Sequence, residues 1–407
     1  MTNQTQTSGA TDFLTLTAPP RGFHENPFPV YSRLREDAPV FQQPDGSFIL
    51  SRYADLDRIY RDTVTFISDK KAVFGPKFGI GTPLYEHHTN SLVFNDPPLH
   101  SRVRSVMVGA MNPKALAAME PGLIALVDTL LDQMAGTVQV DLIQTFAGAI
   151  PINVIGNLLG IPRDQRGPLR DWSLSILGAL EPTLTPGQLE IGHQAVRDFK
   201  TFLHLIIEDR RNNPADPETD VLTRLILNPD NKLTQTELYQ NCIFILNAGH
   251  ETTTNLIGNA LALIDQQPDK RAQLLHNPNL IVAAVEEFLR LESPNQFGNR
   301  LTTKDITMHG VTISAGSDLH LCIGAANRDP RQFHDPDEMQ LDRRPNKHLS
   351  FAGGPHTCVG LTLARMEGRV AVGRFLQRYP NFKLTSGASR GGRLRFRGFS
   401  HLPAVLN

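Results

Sequence analysis

Phe351-Ala352-Gly353-Gly354-Pro355-His356-Thr357-Cys358-Val359-Gly360 is the stretch from which the fold is read. Gly353, Gly354 and Pro355 impose a tight turn through which a helix cannot continue. Gly360-Leu361-Thr362-Leu363-Ala364-Arg365-Met366-Glu367 then reads as the first turns of a helix. Cys358 stands at that helix start, where the positive end of the dipole and unpaired backbone N–H groups both favour thiolate over thiol. A metal-bound sulfur needs that form. The commoner fate of a lone cysteine is to be a small buried hydrophobe, so the residues around it must decide.

Length and composition narrow the field. The 407 residues contain no Ser/Gly-rich or Pro-rich linker and no internal repeat, so one large domain over residues 21–407 is expected. With 40% hydrophobic and 20% charged residues the composition is that of an ordinary soluble globular protein. A net charge of −1 gives no reason to expect a nucleic-acid partner. Cys242, Cys322 and Cys358 are far apart, which argues against a disulfide framework or a zinc site and for a reducing, cytoplasmic compartment. Residues 1–20 begin rich in Thr and Gln, with no basic start or apolar core, and read as a disordered tail rather than a signal peptide. No apolar run is long enough to span a membrane.

Along the chain, Asn26 to Ala38 is helical in pattern, and Val40 to Ser51 reads as a hairpin turned at Pro44-Asp45-Gly46. Tyr53 to Arg61 is a short helix, after which regularity fades from Thr63 to Asn95. A loop of that length is usually functional. Within it Phe74, Phe78, Leu84, Tyr85, His87 and His88 either wall a pocket or are ordinary packing residues. Asp96-Pro97-Pro98 starts a helix on which His100 and Arg104, four apart, share one face. Spacing alone makes that face a solvated one. Helices then dominate to Asn228, apart from a β-like stretch from Thr137 to Leu142. The break from Leu180 to Pro186 suits either a movable lid or a simple corner.

Thr234-x-x-Glu237 is a capping box opening a segment of about 30 residues, roughly 45 Å of helix. Cys242-Ile243-Phe244-Ile245-Leu246 is apolar on every side, so this helix should be buried all round. Asn247-Ala248-Gly249-His250-Glu251-Thr252-Thr253-Thr254 then breaks character, because a buried Glu is costly and Thr competes for helix carbonyls. A locally opened turn at a functional site fits those residues; so does a salt-bridged Glu251 among packed threonines. Phe244, Ala248 and Thr252 share a face. Ile281 to Leu291 is a helix with Glu287 and Arg290 three apart, and Asn295 to Leu321 alternates as strands.

The stretch around Cys358 matches Phe-x-x-Gly-x-His-x-Cys-x-Gly at Phe351, Gly354, His356, Cys358 and Gly360, and so resembles the haem-binding loop of the cytochrome P-450 superfamily, bacterial soluble type. Ala248-Gly249-x-Glu251-Thr252-Thr253 looks like that family's oxygen-activation motif. Glu287-x-x-Arg290 matches its Glu-x-x-Arg signature, with Arg343 as the third, structural member. The resemblance covers nearly the whole chain, with at least five motifs in the expected order.

It implies a mainly α fold with a smaller β region (α+β), the cytochrome P-450 fold, with haem between the long central helix and the helix following Cys358. Haem b would be held by the Cys358 thiolate as axial ligand, an arrangement that favours O–O cleavage. His100, Arg104, Arg300 and His356 would hold its propionates, with Ala248, Phe351 and Gly360 lining it. Glu251 would relay protons and Thr252 would hydrogen-bond the oxygen being activated. Phe74, Phe78, Tyr85, Phe244, Asn247 and Phe297 are the candidate substrate contacts, suited to a small apolar or aromatic molecule, with Asn247 facing a polar substituent.

The implied reaction is insertion of one atom of O2 into a C–H bond, as hydroxylation or O-dealkylation, with NAD(P)H-derived electrons. They would come from a ferredoxin and ferredoxin reductase, and the enzyme would be a monomer. Arg343, Arg344, Lys347, Arg365 and Arg369 suit either a basic docking face or a solvated surface. Two other readings are a peroxide-driven peroxygenase, against which Glu251 and Thr252 argue, and a non-catalytic haem or gas-binding protein. At Ala352 the family often has glycine.

Overall fold

Thr234 opens the helix around which the molecule is arranged. Its hydroxyl accepts the Glu237 N–H at 3.2 Å, and the Glu237 carboxylate accepts the Thr234 N–H at 2.8 Å, the reciprocal cap expected from the spacing. From there the central helix runs Gln235–Gln266, and Pro268 begins the next helix, Pro268–His276. In this computed structural model, which describes residues 13–227 and 233–406, Cys242, Ile243 and Leu246 are fully buried. A helix apolar on all sides needs cover on all sides. The helices Ala149–Leu158, Leu169–Gly178, Pro186–Asn212 and Leu361–Arg378 supply it.

The expected opening of this helix does not occur. Gln235–Gln266 is unbroken, because Thr252 and Thr254 donate back to the carbonyls of Ala248 and His250, at 2.6 and 2.9 Å, without displacing the backbone. Gly249 serves packing instead. A Cβ there would lie 2.8 Å from Ile155 Cδ1, so the glycine lets the neighbouring helix close in.

The principal sheet has five strands in the order Val40–Gln42, Phe48–Leu50, Asp318–Cys322, Phe297–Thr302, Phe66–Ile67. The hairpin turns where expected, with Val40 opposite Leu50 and Gly46 at φ 86°. Phe297 pairs with Cys322 and Arg300 with Leu319. Helices otherwise prevail, so the architecture is the mainly α, α+β arrangement anticipated. Among the described residues no helix is long and apolar enough to cross a membrane.

Two stretches differ from expectation, and a third takes one of its two expected forms. Residues 63–95 are not a long loop: they hold the strand Phe66–Ile67 and the helices Lys71–Phe78 and Pro83–Asn90. The turn-forming residues sit between and at the ends of these elements, with Gly79 and Gly81 at φ 86° and 82° and Pro83 at a helix start. Of the expected tail, residues 1–12 lie outside the described residues. From Phe13 the chain is packed, since Leu14 is fully buried and the Gln43 side chain bonds both Leu14 O and Leu16 N. Leu180 to Pro186 is a tied corner. The Glu181 carboxylate accepts the N–H groups of Leu394 and Arg395, and its carbonyl accepts from Lys77 Nζ.

Behind the Cys358 loop, Glu287 and Arg290 are fully buried and paired in bidentate fashion through Arg290 Nε and Nη2, at 2.8 and 2.7 Å. Arg343 Nε reaches the same carboxylate at 3.1 Å. Arg290 also donates to the carbonyls of Asn327, Pro336 and Glu338. Charge-assisted bonds of this kind pin irregular chain that no ladder holds.

Candidate active site

A cavity of about 350 Å³ lies between the central helix and the Cys358 loop. The loop is shaped by a short turn at Gly354–His356 and by the Cys358 N–H donating to Phe351 O at 2.9 Å. Gly354, at φ 63°, sits where a Cβ would lie 2.2 Å from Tyr60 O, so only glycine fits. Ala352 adopts φ 56°. That explains why glycine suits its position.

Cys358 is open to the cavity yet lies deep in the molecule. The helix after it begins at Leu361, and the Gly360 N–H, Arg104 and Arg365 all favour a thiolate. Burial outweighs them and pushes the thiol upward from its ordinary value. A bound cation would reverse that balance. Cys242 and Cys322 are buried elsewhere, and burial pushes both up to about 12.

On one side of the cavity stands a cluster of basic groups. The His100 and His356 rings stack with centroids 3.9 Å apart. His356 Nε2 is 3.1 Å from Ser68 Oγ and 3.8 Å from Asp96 Oδ1. Arg300 lies over the Tyr60 ring and donates Nη1 to Asn299 O, while its Nε and Nη2 are buried without a partner, as is His100 Nε2. Burial, together with His356 and Arg104, lowers His100 to about 4. Burial also lowers Arg300. A buried guanidinium with unused donors calls for an anion. Haem carboxylates facing a cysteine sulfur meet both demands, so the residues present fit a thiolate-ligated haem.

The remaining candidates divide. Ala248, Thr252, Phe351 and Gly360 line the cavity, as do Phe244, Asn247 and Phe297. Phe74 and Phe78 do not. They are core residues packed on His88, with centroids at 5.4 and 5.3 Å, and it is His88 and Phe94 that reach the wall. Tyr85 also stays off the wall, half-buried against the core. Glu251 turns away toward the C-terminal segment, where Arg393 Nη1 donates to it at 2.6 Å. Burial raises the Glu251 carboxyl to about 7, Arg393 opposing and Glu181 assisting. Of the five basic residues, Arg343 is in the core, Arg365 and Arg369 pair with Glu286 and Glu120, and Arg344 and Lys347 are exposed.

Sequence reasoning missed Arg395 and Phe396, which close the site from the chain's far end, and Arg393, which pairs with Glu251. Their signal was the run of arginines at 390, 393, 395 and 397. It also missed Glu367, buried on the cavity wall with Oε2 unpartnered and its carboxyl pushed up to about 8 by burial.

An enclosed apolar cavity with one cysteine sulfur, a basic cluster and a threonine-bearing helix face defines a haem-thiolate oxygenase. The "Cytochrome P450" family model matches residues 177–389. The biotin biosynthesis cytochrome P450 of Bacillus subtilis (strain 168) is 35% identical over 398 residues, covering 94% of this chain and 97% of that protein. The vitamin D(3) 25-hydroxylase of Pseudonocardia autotrophica is 34% identical, over 94% of each chain. Among solved structures, P450BioI in complex with an acyl carrier protein bearing hexadec-9Z-enoic acid aligns with a TM-score of 0.87 and 32% identity, over 94% of this chain and 99% of that one. The chain belongs to the cytochrome P450 family. It is accordingly a monooxygenase of a family that uses haem b with a cysteine thiolate ligand, O2 and NAD(P)H-derived electrons.

Proposed function

We propose that the cavity is both haem site and substrate pocket, and that the enzyme hydroxylates or O-dealkylates a small, mainly apolar molecule with electrons from a ferredoxin and its reductase. The observation that carries this reading is the meeting, in one cavity, of Cys358 with the partnerless donors of Arg300 and the ring nitrogen of His100. Cys358 would be the axial ligand, and His100, Arg104, Arg300 and His356 would hold the propionates. Bound there, haem supplies oxygen activation at a thiolate-ligated iron.

The chain's own residues do the rest. Phe244, Phe297 and Leu363 keep the pocket apolar and dry. Thr252 lies on the cavity wall with its hydroxyl bonded to Ala248 O, and would pass a proton inward by switching that bond. Glu251, held near neutrality by burial, would resupply that proton from the side of Arg393. A protein that took hydrogen peroxide directly would have little use for such a pair.

The test is the spectrum of the reduced protein under carbon monoxide. We expect the band typical of a thiolate-ligated haem in the wild type and its loss in Cys358→Ala. An unchanged band in that variant would overturn the assignment. Screening compact aromatic and terpenoid compounds for a low- to high-spin Soret shift then tests the substrate class.

A further inference from the structure

A hydrogen-bonded chain runs from the protein surface to the cavity, and its direction can be deduced atom by atom. Glu86 accepts from Lys200 Nζ and from Gln240 Nε2, both at 2.8 Å. Burial works against its charge, but those two donors prevail and lower its pKa, so it is a carboxylate and only accepts. Gln240 must therefore turn its NH2 to Glu86 and its Oε1 to His87 Nδ1, 3.0 Å away. An amide oxygen only accepts, so Nδ1 carries the proton.

His87 is buried, and burial lowers it to about 4, so it is neutral and has no second proton. Its Nε2 is then a lone pair, and the Asn247 group 3.2 Å from it must be the Nδ2 amine. The order Lys200, Glu86, Gln240, His87, Asn247 leaves no freedom for the last amide to flip. What remains is Asn247 Oδ1, a buried acceptor without a partner on a residue of the cavity wall. Such an atom costs stability until something donates to it.

We propose that the substrate carries a neutral hydrogen-bond donor, a hydroxyl or N–H, on its apolar body, and that Asn247 Oδ1 accepts from it. This rests on the cavity being the substrate pocket of the haem enzyme, as argued above. The polarity of the site matters. A carboxylate end would bring its lone pairs against that of Asn247, with a neutral His87 behind it. An ether or ester end would leave Oδ1 unpaired. Of the cations that line the cavity, Arg395 is already engaged with Leu180 O and Asn299 Oδ1, and Arg104 and Arg300 are assigned to the haem propionates. Glu86 and Gln240 act as positioning residues, because they set the proton on His87 and so the orientation of the amide.

The test uses the holoenzyme and a matched set of probes: decan-1-ol, its methyl ether and decanoate, with longer and shorter homologues. Dissociation constants are read from the Soret shift. We expect the alcohol to bind about tenfold more tightly than the ether, the worth of roughly 1.4 kcal/mol for one hydrogen bond, and decanoate to bind most weakly. Asn247→Leu should bring alcohol and ether together while leaving the carbon monoxide band intact. Nitrogen NMR of wild-type His87 should show the proton on Nδ1.

Equal binding of alcohol and ether by wild type, a preference that survives in Asn247→Leu, or no shift with any alcohol would each overturn the proposal. So would decanoate binding as tightly as the alcohol. Loss of the thiolate band in the wild type itself would instead strike the underlying reading of the cavity.

Discussion

Arg393 Nη1 lies 2.6 Å from Glu251 Oε2, joining the C-terminal segment to the middle of the central helix, and its Nη2 donates to Leu174 O at 2.8 Å. One arginine thus ties three parts of the chain together at the acid proposed to feed protons to the site. Burial raises the Glu251 carboxyl from 4.5 to about 7, and Arg393 is what keeps it from rising further. Above that value the wild type holds a charged pair; well below it the acid is neutral and the pair is only a hydrogen bond.

Arg393→Gln should therefore destabilise the protein in a pH-dependent way. Removing one partner of a buried pair costs about 3 kcal/mol while the other stays charged. The loss should be near that value at about pH 9 and much smaller at about pH 5, where Glu251 is protonated with or without the arginine. Urea unfolding of the two holoenzymes across this range reads the difference. An equal loss at both ends would mean that the pair does not titrate. The pH at which product formation falls should also rise, since the carboxyl keeps its proton longer.

Arg300 makes a prediction of opposite signs. Its Nε and Nη2 are buried and unpartnered, so without an anion the residue is a burden on the fold, and with one it is an anchor. Arg300→Leu should stabilise the haem-free protein by about 1–3 kcal/mol. It should also speed haem loss to apomyoglobin by about tenfold or more, one strong hydrogen bond being worth roughly 1.5 kcal/mol. A variant that loses stability in both forms would rule out the propionate role.

Ala352 holds φ 56° in the Cys358 loop. A left-handed residue with a Cβ costs roughly 1–2 kcal/mol, and glycine's extra freedom in the unfolded chain returns about 0.5–1 of it. Ala352→Gly should then raise stability by about 0.5–1 kcal/mol with the visible spectrum unchanged. Thermal unfolding followed at the Soret band measures it. A lower midpoint would mean that the methyl group's contacts in the cavity outweigh the backbone strain.

The parts of the molecule that were legible in the sequence share one property: short-range chemistry determines them. Thr234 and Glu237 cap a helix three residues apart, Pro44-Asp45-Gly46 closes a hairpin, and the glycines before Cys358 can make only a turn. Residues 63–95 lack a regular pattern because Gly79, Gly81 and Pro83 interrupt it, yet in the structure these residues mark the boundaries of elements. The aromatic side chains there were visible, but their direction was not: Phe74 and Phe78 point into the core, and His87 and His88 take the wall. Arg393 and Glu367 escaped notice for another reason. Both matter because residues distant in sequence fold back to bury them: the run of arginines from 390 to 397 is visible, but the partners it meets are not.

Glu367 carries the last expectation. It sits on the helix Leu361–Arg378, buried at the cavity wall with Oε2 unpartnered, and burial raises its carboxyl from 4.5 to about 8. The folded protein therefore keeps a proton that the unfolded chain gives up. Between those two values the folded state binds one proton more, so stability falls by about 1.4 kcal/mol for each pH unit gained. Glu251 contributes in the same direction up to about 7, so the wild-type slope has two sources below that point and one above it. Glu367→Gln keeps the shape, has no charge to bury, and should match the wild type near about pH 5. It should then stay ahead by a growing margin until about pH 8, where the difference levels off. Stability curves for wild type and variant that run parallel over this interval would show that Glu367 finds a partner for its charge when haem and water fill the cavity.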